Sequence, residues 1–310
     1  MAMDKQAFDI IGLGEAMVEF NQRTDGSFGV SCGGDTSNCV IAAARLGATS
    51  GYISRLGDDL FAEILHKQWA EDGVDARHVI KDSASPSGIY FVTHGVDGHD
   101  FTYRRNGSAA SMMRPTELPW SYIQNAKILH VSGISQAISN DAAETVIAAI
   151  KCAKDAGVLV SYDTNLRLKL WPLERAREVI HSAIAFADIA RPSIEDTQKL
   201  TGLTDPNGIA DFYLGLGAGM VALTLGAKGA FIATPESREF LPVIVVDSID
   251  ATGAGDAFGG AFLARLAAGD MPIEAARYAN VAAALSTTKY GAVSSFPTAR
   301  EVAGWIQANL

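Results

Sequence analysis

The stretch VIVVDSIDATGAGDAFGGAFLARL, Val243 to Leu266, reads as an apolar β-branched run, then a turn, then a helix. Val243 to Val246 supply the strand. Asp250-Ala251-Thr252-Gly253-Ala254-Gly255-Asp256 form the turn, and Phe258, Phe262 and Leu266, spaced by four, mark one face of the helix. Gly253 and Gly255 let backbone N–H groups point outward at the positive end of that helix, where a phosphate or a developing negative charge is held. Asp256 stands in the first turn, beside the anion position. Taken alone, G-x-G-D fits equally well an Asp that stabilises a helix N-terminus by about 0.3–1 kcal/mol and glycines that only shape a turn. A carboxylate beside an anion hole has a sharper use, because phosphoryl transfer needs a base for the attacking hydroxyl and fixed donors for transition-state charge. The pair points to a kinase.

The same strand-to-helix alternation runs along the chain. Candidate strands are Phe8 to Leu13, Ser50 to Ser54, Ile128 to Ser132, Val158 to Asp163, Asp188 to Ala190, Met220 to Leu225, Ala230 to Ala233 and Val243 to Val246. Separated by segments of helical period, they predict an α/β fold with a parallel sheet covered by helices. The clearest helix is Asp141 to Ala156, with Ala143, Val146, Ile147, Ile150 and Ala153 on one face, Asn140 or Asp141 as cap and Gly157 as terminator. Two stretches break the rhythm, Glu15 to Ser31 and Ser87 to Arg105, the latter with Ile89, Phe91, Phe101 and Tyr103 around the turn-rich Gly95 to Asp100. They read as hairpins that pair into a small second sheet over one edge of the main domain. A lid and a purely structural hairpin pair are both open at this point.

Composition narrows the partners. With 310 residues, 48% of them hydrophobic, the chain has the material for a large core. Its formal charge of −10, with no Lys/Arg-rich run, excludes the footprint of a nucleic-acid or anionic-membrane binder. Apolar stretches stop short of the ~18 residues of a membrane span. The start MAMDKQAFDIIGLGEAM carries acidic residues where a signal peptide needs a basic one. Cys32, Cys39 and Cys152 fit neither a disulfide framework nor a zinc site. The expectation is a soluble, uncleaved, cytoplasmic chain.

A second glycine pair, Gly33-Gly34, opens GGDTSNCVIAAARLG, with Asn38 beginning a helix. Glycines permit close approach of a ligand, and Asn38 offers a donor and an acceptor; an ordinary loop and cap reads equally well from this segment alone. Together, GGDTSNCVIAAARLG and DATGAGDAFGGAFLARL resemble the two signatures of the ribokinase-like (PfkB-type) carbohydrate kinases, and their order and separation extend the resemblance over nearly the whole chain. It implies one kinase domain over residues 1–310, a doubly wound, mostly parallel sheet flanked by helices, and a β-sheet lid inserted at about 15–31 and 87–105. It also implies phosphorylation of a sugar hydroxyl by ATP with Mg²⁺. Asp256 then becomes the catalytic base and Gly253, Ala254 and Gly255 the anion hole. Ala251 departs from the family's usual Thr, Pro, Ser or Val.

The resemblance extends to the nucleotide side. Leu223 to Gly229 is similar to the family's nucleotide-binding strand and turn, implying roles for Thr224, Gly226, Lys228 and Gly229; Asn280 matches the residue near the adenine. Without the family, Asn280 reads as a surface residue. In Pro192-Ser193-Ile194-Glu195-Asp196, Ser193 and Asp196 replace the common N-x-x-E, keeping at Asp196 an oxygen for water-mediated Mg²⁺ contact. Asp250 and Thr252 are candidates for a monovalent cation such as K⁺. On the substrate side, Tyr90, Tyr103 to Ala109 and Asp163 to Arg167 are similar to the 2-keto-3-deoxygluconate kinase branch, implying that Gly33, Gly34, Asn38, Tyr90, Tyr103, Arg105 and Arg167 hold the sugar. Arginine suits a carboxylate because its planar fork gives two parallel charge-assisted bonds, so Arg105 and Arg167 predict a sugar acid. Glu15 or Glu19 stands where a ribokinase would place an acidic residue for neutral sugar hydroxyls, which leaves a fructokinase- or ribokinase-type activity as the alternative. A non-catalytic binding protein of the same fold is a further one. The family's common assembly, a homodimer paired through the lid, or a higher homo-oligomer, completes the expectations.

Other motifs lead elsewhere and fall short. Gly29-Val30-Ser31-Cys32-Gly33 has the G-x-S-x-G form without the strand-to-helix context of a nucleophile elbow. Gly12-Leu13-Gly14 lacks the third glycine of a dinucleotide fingerprint, Met17 standing in its place.

Overall fold

Ile10 and Ile11, Tyr52 and Ile53, and Ile128 and Leu129 are adjacent in sequence, fully buried, and belong to two different hydrophobic layers. A strand sends successive side chains to opposite faces, so these runs are buried on both sides, as parallel strands between two helical layers require. A computed structural model of the chain describes residues 8–95 and 98–309. The first part runs β1 (Phe8–Leu13), β2 (Met17–Gln22), β3 (Phe28–Gly33), α1 (Asp35–Arg45), β4 (Ser50–Gly57), α2 (Leu60–Glu71), β5 (Asp75–Asp82), β6 (Gly88–Gly95) and β7 (Gly98–Arg104). The middle follows with α3 (Trp120–Gln124), β8 (Ala126–Ser132), α4 (Gly133–Ala137), α5 (Asn140–Asp155), β9 (Leu159–Asp163), α6 (Leu173–Ile184), β10 (Ile189–Arg191), α7 (Ile194–Thr201) and α8 (Pro206–Leu216). The last part holds β11 (Met220–Thr224), β12 (Gly229–Ala233), β13 (Arg238–Pro242), α9 (Ala254–Ala268), α10 (Pro272–Ser286) and α11 (Ala299–Asn309).

The nine-stranded main sheet has the order β13-β12-β11-β10-β9-β8-β1-β4-β5. It is parallel from β5 to β11 and antiparallel across β11, β12 and β13. Helices α1, α2, α9, α10 and α11 cover one face, and α3, α5, α6 and α8 the other. The chain leaves β1 toward β4 on one side and returns through β8 on the other, and α/β sheets bind ligands at the carboxyl ends of strands near such a reversal.

Both irregular stretches form hairpins, β2 with β3 and β6 with β7, and β2 pairs with β6 in parallel to give a second, four-stranded sheet β3-β2-β6-β7. Of the turn expected over Gly95 to Asp100, Val96 and Asp97 lie outside the described residues, as does the start Met1 to Ala7.

Several boundaries correct the sequence reading. Val243 to Val246 is not a strand: the strand is β13, and 243–249 is irregular, with Val245 87% exposed. Pro242 ends β13 at the sheet edge, where a residue without N–H closes the ladder and nothing beyond pairs with the valines. Helix α1 starts at Asp35, so Asn38 lies in its first turn instead of beginning it. Helix α5 is capped by Ser139, whose Oγ accepts from Ala142 N at 2.9 Å, and neither Asn140 nor Asp141 does this. Strand β5, DARHVIKD, was not expected; it alternates little because it lies at an edge and is only partly buried.

Candidate active site

A cavity of about 1020 Å³ opens where β9, β10 and β11 end, bounded by their last residues Asp163, Arg191 and Thr224, by Asp256 of α9, and by Met17, Tyr90, Phe101 and Tyr103 of the second sheet. The two sequence signatures, more than 200 residues apart, meet in its wall: Asn38 Nδ2 donates to Asp256 Oδ2 at 2.8 Å. Two glycines make that meeting possible. Gly34 caps α1 with φ +106°, and a Cβ there would stand 2.4 Å from the Glu15 carbonyl; Gly253 caps α9 with φ +78°. Both are conformations L side chains rarely adopt.

At the start of α9, Ala254 N–H donates to Ala251 O at 3.1 Å and so closes the turn. Of the expected trio, Ala254 is therefore already engaged, and the amides of Gly255 and Asp256 are the first-turn donors on the cavity side. Asp250 Oδ1 accepts from Thr252 N and Oγ1 at 2.9 and 2.7 Å, while its Oδ2 accepts from Gly291 N at 2.9 Å, tying this turn to the loop after α10.

Burial pushes the Asp256 carboxyl up to about 8, with Asp35 and Asp163 adding to the effect and the Asn38 bond and Arg191 opposing it. Asp163 is likewise raised, to about 6, by burial against the pull of Arg191 3.3 Å away. Asp196 is raised by burial while its Oδ2 accepts from Leu166 N at 2.9 Å. Asp35 accepts from Asn165 Nδ2 at 2.8 Å through Oδ2, and its Oδ1 is buried with no hydrogen-bond partner. Asn165 itself has φ +28°, a conformation Asn tolerates better than most residues. These four aspartates share one cavity, whose lining also includes Glu15 and Glu195.

The second sheet presents aromatic rings. Tyr90 packs against Tyr103, centroids 5.6 Å apart, and its OH donates to Glu19 Oε2 at 2.6 Å. Gly33 is not in the cavity wall; its missing side chain admits the Tyr90 ring, whose OH lies 2.2 Å from where a Cβ would be. Glu19 is fully engaged with Tyr90 and with Ser31, 3.0 Å from Oγ. Glu15 is buried and pairs with Arg105 and with Ser108 Oγ. Neither glutamate reaches the cavity as a free acceptor. The Arg105 charge, expected to serve a substrate alone, is compensated by Glu15, although its buried Nε has no partner. Arg167 lines the cavity with Nη1 on the Leu166 carbonyl at 2.9 Å, and among the described residues no acidic group lies within salt-bridge distance of it.

On the opposite side, Ser193 and Thr224 line the cavity and form a parallel bridge. Gly226, Lys228 and Gly229 are not in its wall. Neither is Asn280: it is buried rather than at the surface, and its Nδ2 donates to Pro242 O at 2.7 Å, which holds the end of β13. Asp35 and Arg191 were missed in the sequence. Asp35 directly follows the glycine pair, which is a usable signal; Arg191 in Arg-Pro gave none.

Residues 8–299 match the pfkB family of carbohydrate kinases. The chain belongs to that family. It is 34% identical to probable fructokinase-4 of Arabidopsis thaliana, covering 97% of each chain, and 32% identical to the 2-dehydro-3-deoxygluconokinase of Bacillus subtilis, covering 97% of this chain and 96% of that one. Among solved structures, a putative ribokinase II from E. coli in complex with ATP and Mg²⁺ superposes with a TM-score of 0.88 at 26% identity, over 97% of this chain and 99% of that one. The fold of this pfkB kinase is ribokinase-like. As a carbohydrate kinase it is a phosphotransferase with an alcohol acceptor.

Proposed function

We propose that this kinase phosphorylates a hydroxyl of 2-keto-3-deoxygluconate or a close 2-keto-3-deoxy sugar acid, using ATP. The observation that carries the reading is Arg167, a guanidinium in the same cavity as Asp256 with no carboxylate within salt-bridge distance among the described residues, its charge felt by Asp196. Of the cations that line the cavity, Arg105 and Arg191 are paired with Glu15 and Asp163, and a planar guanidinium such as Arg167 suits a substrate carboxylate better than the ammonium groups of Lys169 and Lys199 do. Tyr90 and Tyr103 give the sugar an apolar platform, and Asp35 Oδ1 is a ready acceptor for a hydroxyl. In the step itself, Asp256 takes the proton of the attacking hydroxyl, its oxygen bonds to the γ-phosphorus, and the bond to the β–γ bridging oxygen breaks to release ADP. The amides of Gly255 and Asp256 face the charge on the transferred group.

Mg²⁺ fits the residues present. The carboxylates Asp35, Asp163, Asp196 and Asp256 offer oxygen donors in the cavity, and among the described residues no three His, Cys, Asp or Glu form a direct metal cage. That donor set suits a hydrated ion held mainly by phosphates, with Asp196 reached through water. Bound there, it would neutralise phosphate charge. Asp250 and Thr252, knotted to Gly291, are the proposed place of a monovalent cation. A cytoplasmic location agrees with three free, buried cysteines, and no helix among the described residues is long and apolar enough to cross a membrane.

A panel assay of ADP release tests the reading: 2-keto-3-deoxygluconate is expected to give the highest kcat/KM, above fructose and ribose. Fructose as best substrate would move the assignment to a fructokinase, the reading favoured by the Arabidopsis similarity and by the Glu15 compensation of Arg105. The pH profile is a second check. A base held near 8 must lose its proton to work, so kcat/KM should rise almost tenfold per unit from pH 6 and level off above about 8. A limb complete by pH 5 would contradict the raised Asp256 carboxyl, and the base role would then rest on Asp256→Asn alone.

The second sheet also bears on assembly. The face turned from the cavity carries Phe20, stacked on Phe91 and edge-on to Phe61 of α2, so α2 covers part of it and leaves Phe28 39% and Val30 52% exposed at the β3 edge. An apolar face beside an unpaired strand invites a second copy, and light scattering at micromolar concentration should report a homodimer. A monomer would remove the lid-to-lid pairing.

A further inference from the structure

We propose that Arg191 is a positioning residue for phosphoryl transfer, holding the peptide between Gly255 and Asp256 in the orientation the reaction needs. Its Nη2 donates to Gly255 O at 2.9 Å and lies 3.3 Å from Asp163 Oδ2. Its Nη1 faces Cys39 Sγ at 3.8 Å and His130 Nε2 at 3.5 Å. The side chain is 4% exposed, so each contact is made away from competing water. Gly255 O and Asp256 N–H are the two ends of one planar peptide. Fixing the carbonyl inward therefore aims the amide outward, and the Cα of Asp256 goes with it. The fit is built from both sides: a Cβ at Gly259 would stand 1.9 Å from Arg191 Nη2, so glycine one turn on is what lets the guanidinium reach the carbonyl. Burial holds His130 well below its usual range, so the ring is neutral and places no second cation on Arg191.

The groups that face Asp256 are Asp35 and Cys39 on α1, Tyr90 on β6, Asp163 on β9 and Arg191 on β10. Arg191 is the cation of this set, and it keeps the Asp256 proton affinity from rising further. The inference rests on Asp256 as base, yet it fails separately. Loss of Asp256 function is read in Asp256→Asn, whereas the present idea is read in variants that leave Asp256 in place.

The test is steady-state kinetics of Arg191→Met and Arg191→Lys. In Arg191→Met, kcat is expected to fall ten- to a hundredfold with the sugar KM changed less than threefold, and the acid limb of kcat/KM to move to higher pH. Arg191→Lys restores the limb through its charge but only part of kcat, because an ammonium on a shorter stem lacks the second nitrogen that meets Cys39 Sγ and His130 Nε2 and so is not held as rigidly against Gly255 O. Where Arg191→Met strands Asp163 and does not fold, Arg191→Met/Asp163→Asn removes both charges; there the limb stays near wild type and kcat still falls at least tenfold. A wild-type kcat in Arg191→Met or in the double variant overturns the proposal, as does a loss confined to KM.

Discussion

Asp256→Asn should lose roughly 10² to 10⁴ in turnover, the usual worth of a general base, while ATP binding survives and the folded protein becomes more stable at neutral pH. The two effects have one cause. Asp256 is buried beside Asp35 and Asp163, which pushes its carboxyl from an ordinary 3.8 to about 8. The sign follows from proton counting: between those values the folded state holds a proton that the unfolded state has released, so stability falls as pH rises through the window. Asparagine is neutral throughout, and its Oδ1 can still accept from Asn38. The Tm of Asp256→Asn should therefore exceed that of wild type at pH 8 and approach it near pH 4. A variant that keeps near-normal turnover would remove the base assignment; one with wild-type turnover and a lower Tm at pH 8 would remove the electrostatic argument as well.

Arg167→Ala should lower kcat/KM for the acid sugar by ten- to a hundredfold, since a charge-assisted hydrogen bond contributes about 1.5–3 kcal/mol. Turnover of a neutral sugar should barely change. Arg167 is the cleaner of the two arginines to test, because it forms no salt bridge with a buried carboxylate and acts on buried Asp196 only through its charge. Arg105→Ala would leave the Glu15 charge buried without its cation, at roughly 3–5 kcal/mol of stability, so its kinetics would mix substrate recognition with a destabilised fold. If Arg167→Ala handles acid and neutral sugars in the wild-type ratio, the carboxylate is held elsewhere.

What could be read from sequence was local. The Gly253 to Asp256 turn, the Gly33-Gly34 pair and the two hairpins each carry their signal within a few residues and form the elements expected of them, although Asn38 proved to be inside α1 and Gly33 lies outside the cavity wall. What escaped depends on residues brought together across the chain. Arg191 matters through Gly255, 64 positions away, and through the space left at Gly259. Arg105 looks like a free cation until Glu15, 90 positions earlier, is placed on it. Asn280 carries no hint in α10 that its partner is the Pro242 carbonyl. The Val243 to Val246 run failed for the opposite reason: its residues favour a strand, but Pro242 and the sheet edge leave no partner for one. Propensity proposes an element, and pairing decides whether it forms.

Recognition of a sugar carboxylate beside Asp256 is the central claim. The most direct measurement compares, on the wild-type enzyme, kcat/KM for 2-keto-3-deoxygluconate with that for the same sugar carrying a neutral alcohol in place of the carboxylate. The acid is expected to be preferred at least tenfold, through KM as well as kcat, at a pH where Arg167 and the substrate are both charged. Equal kcat/KM for the two would contradict the claim and leave a sugar kinase indifferent to the acid.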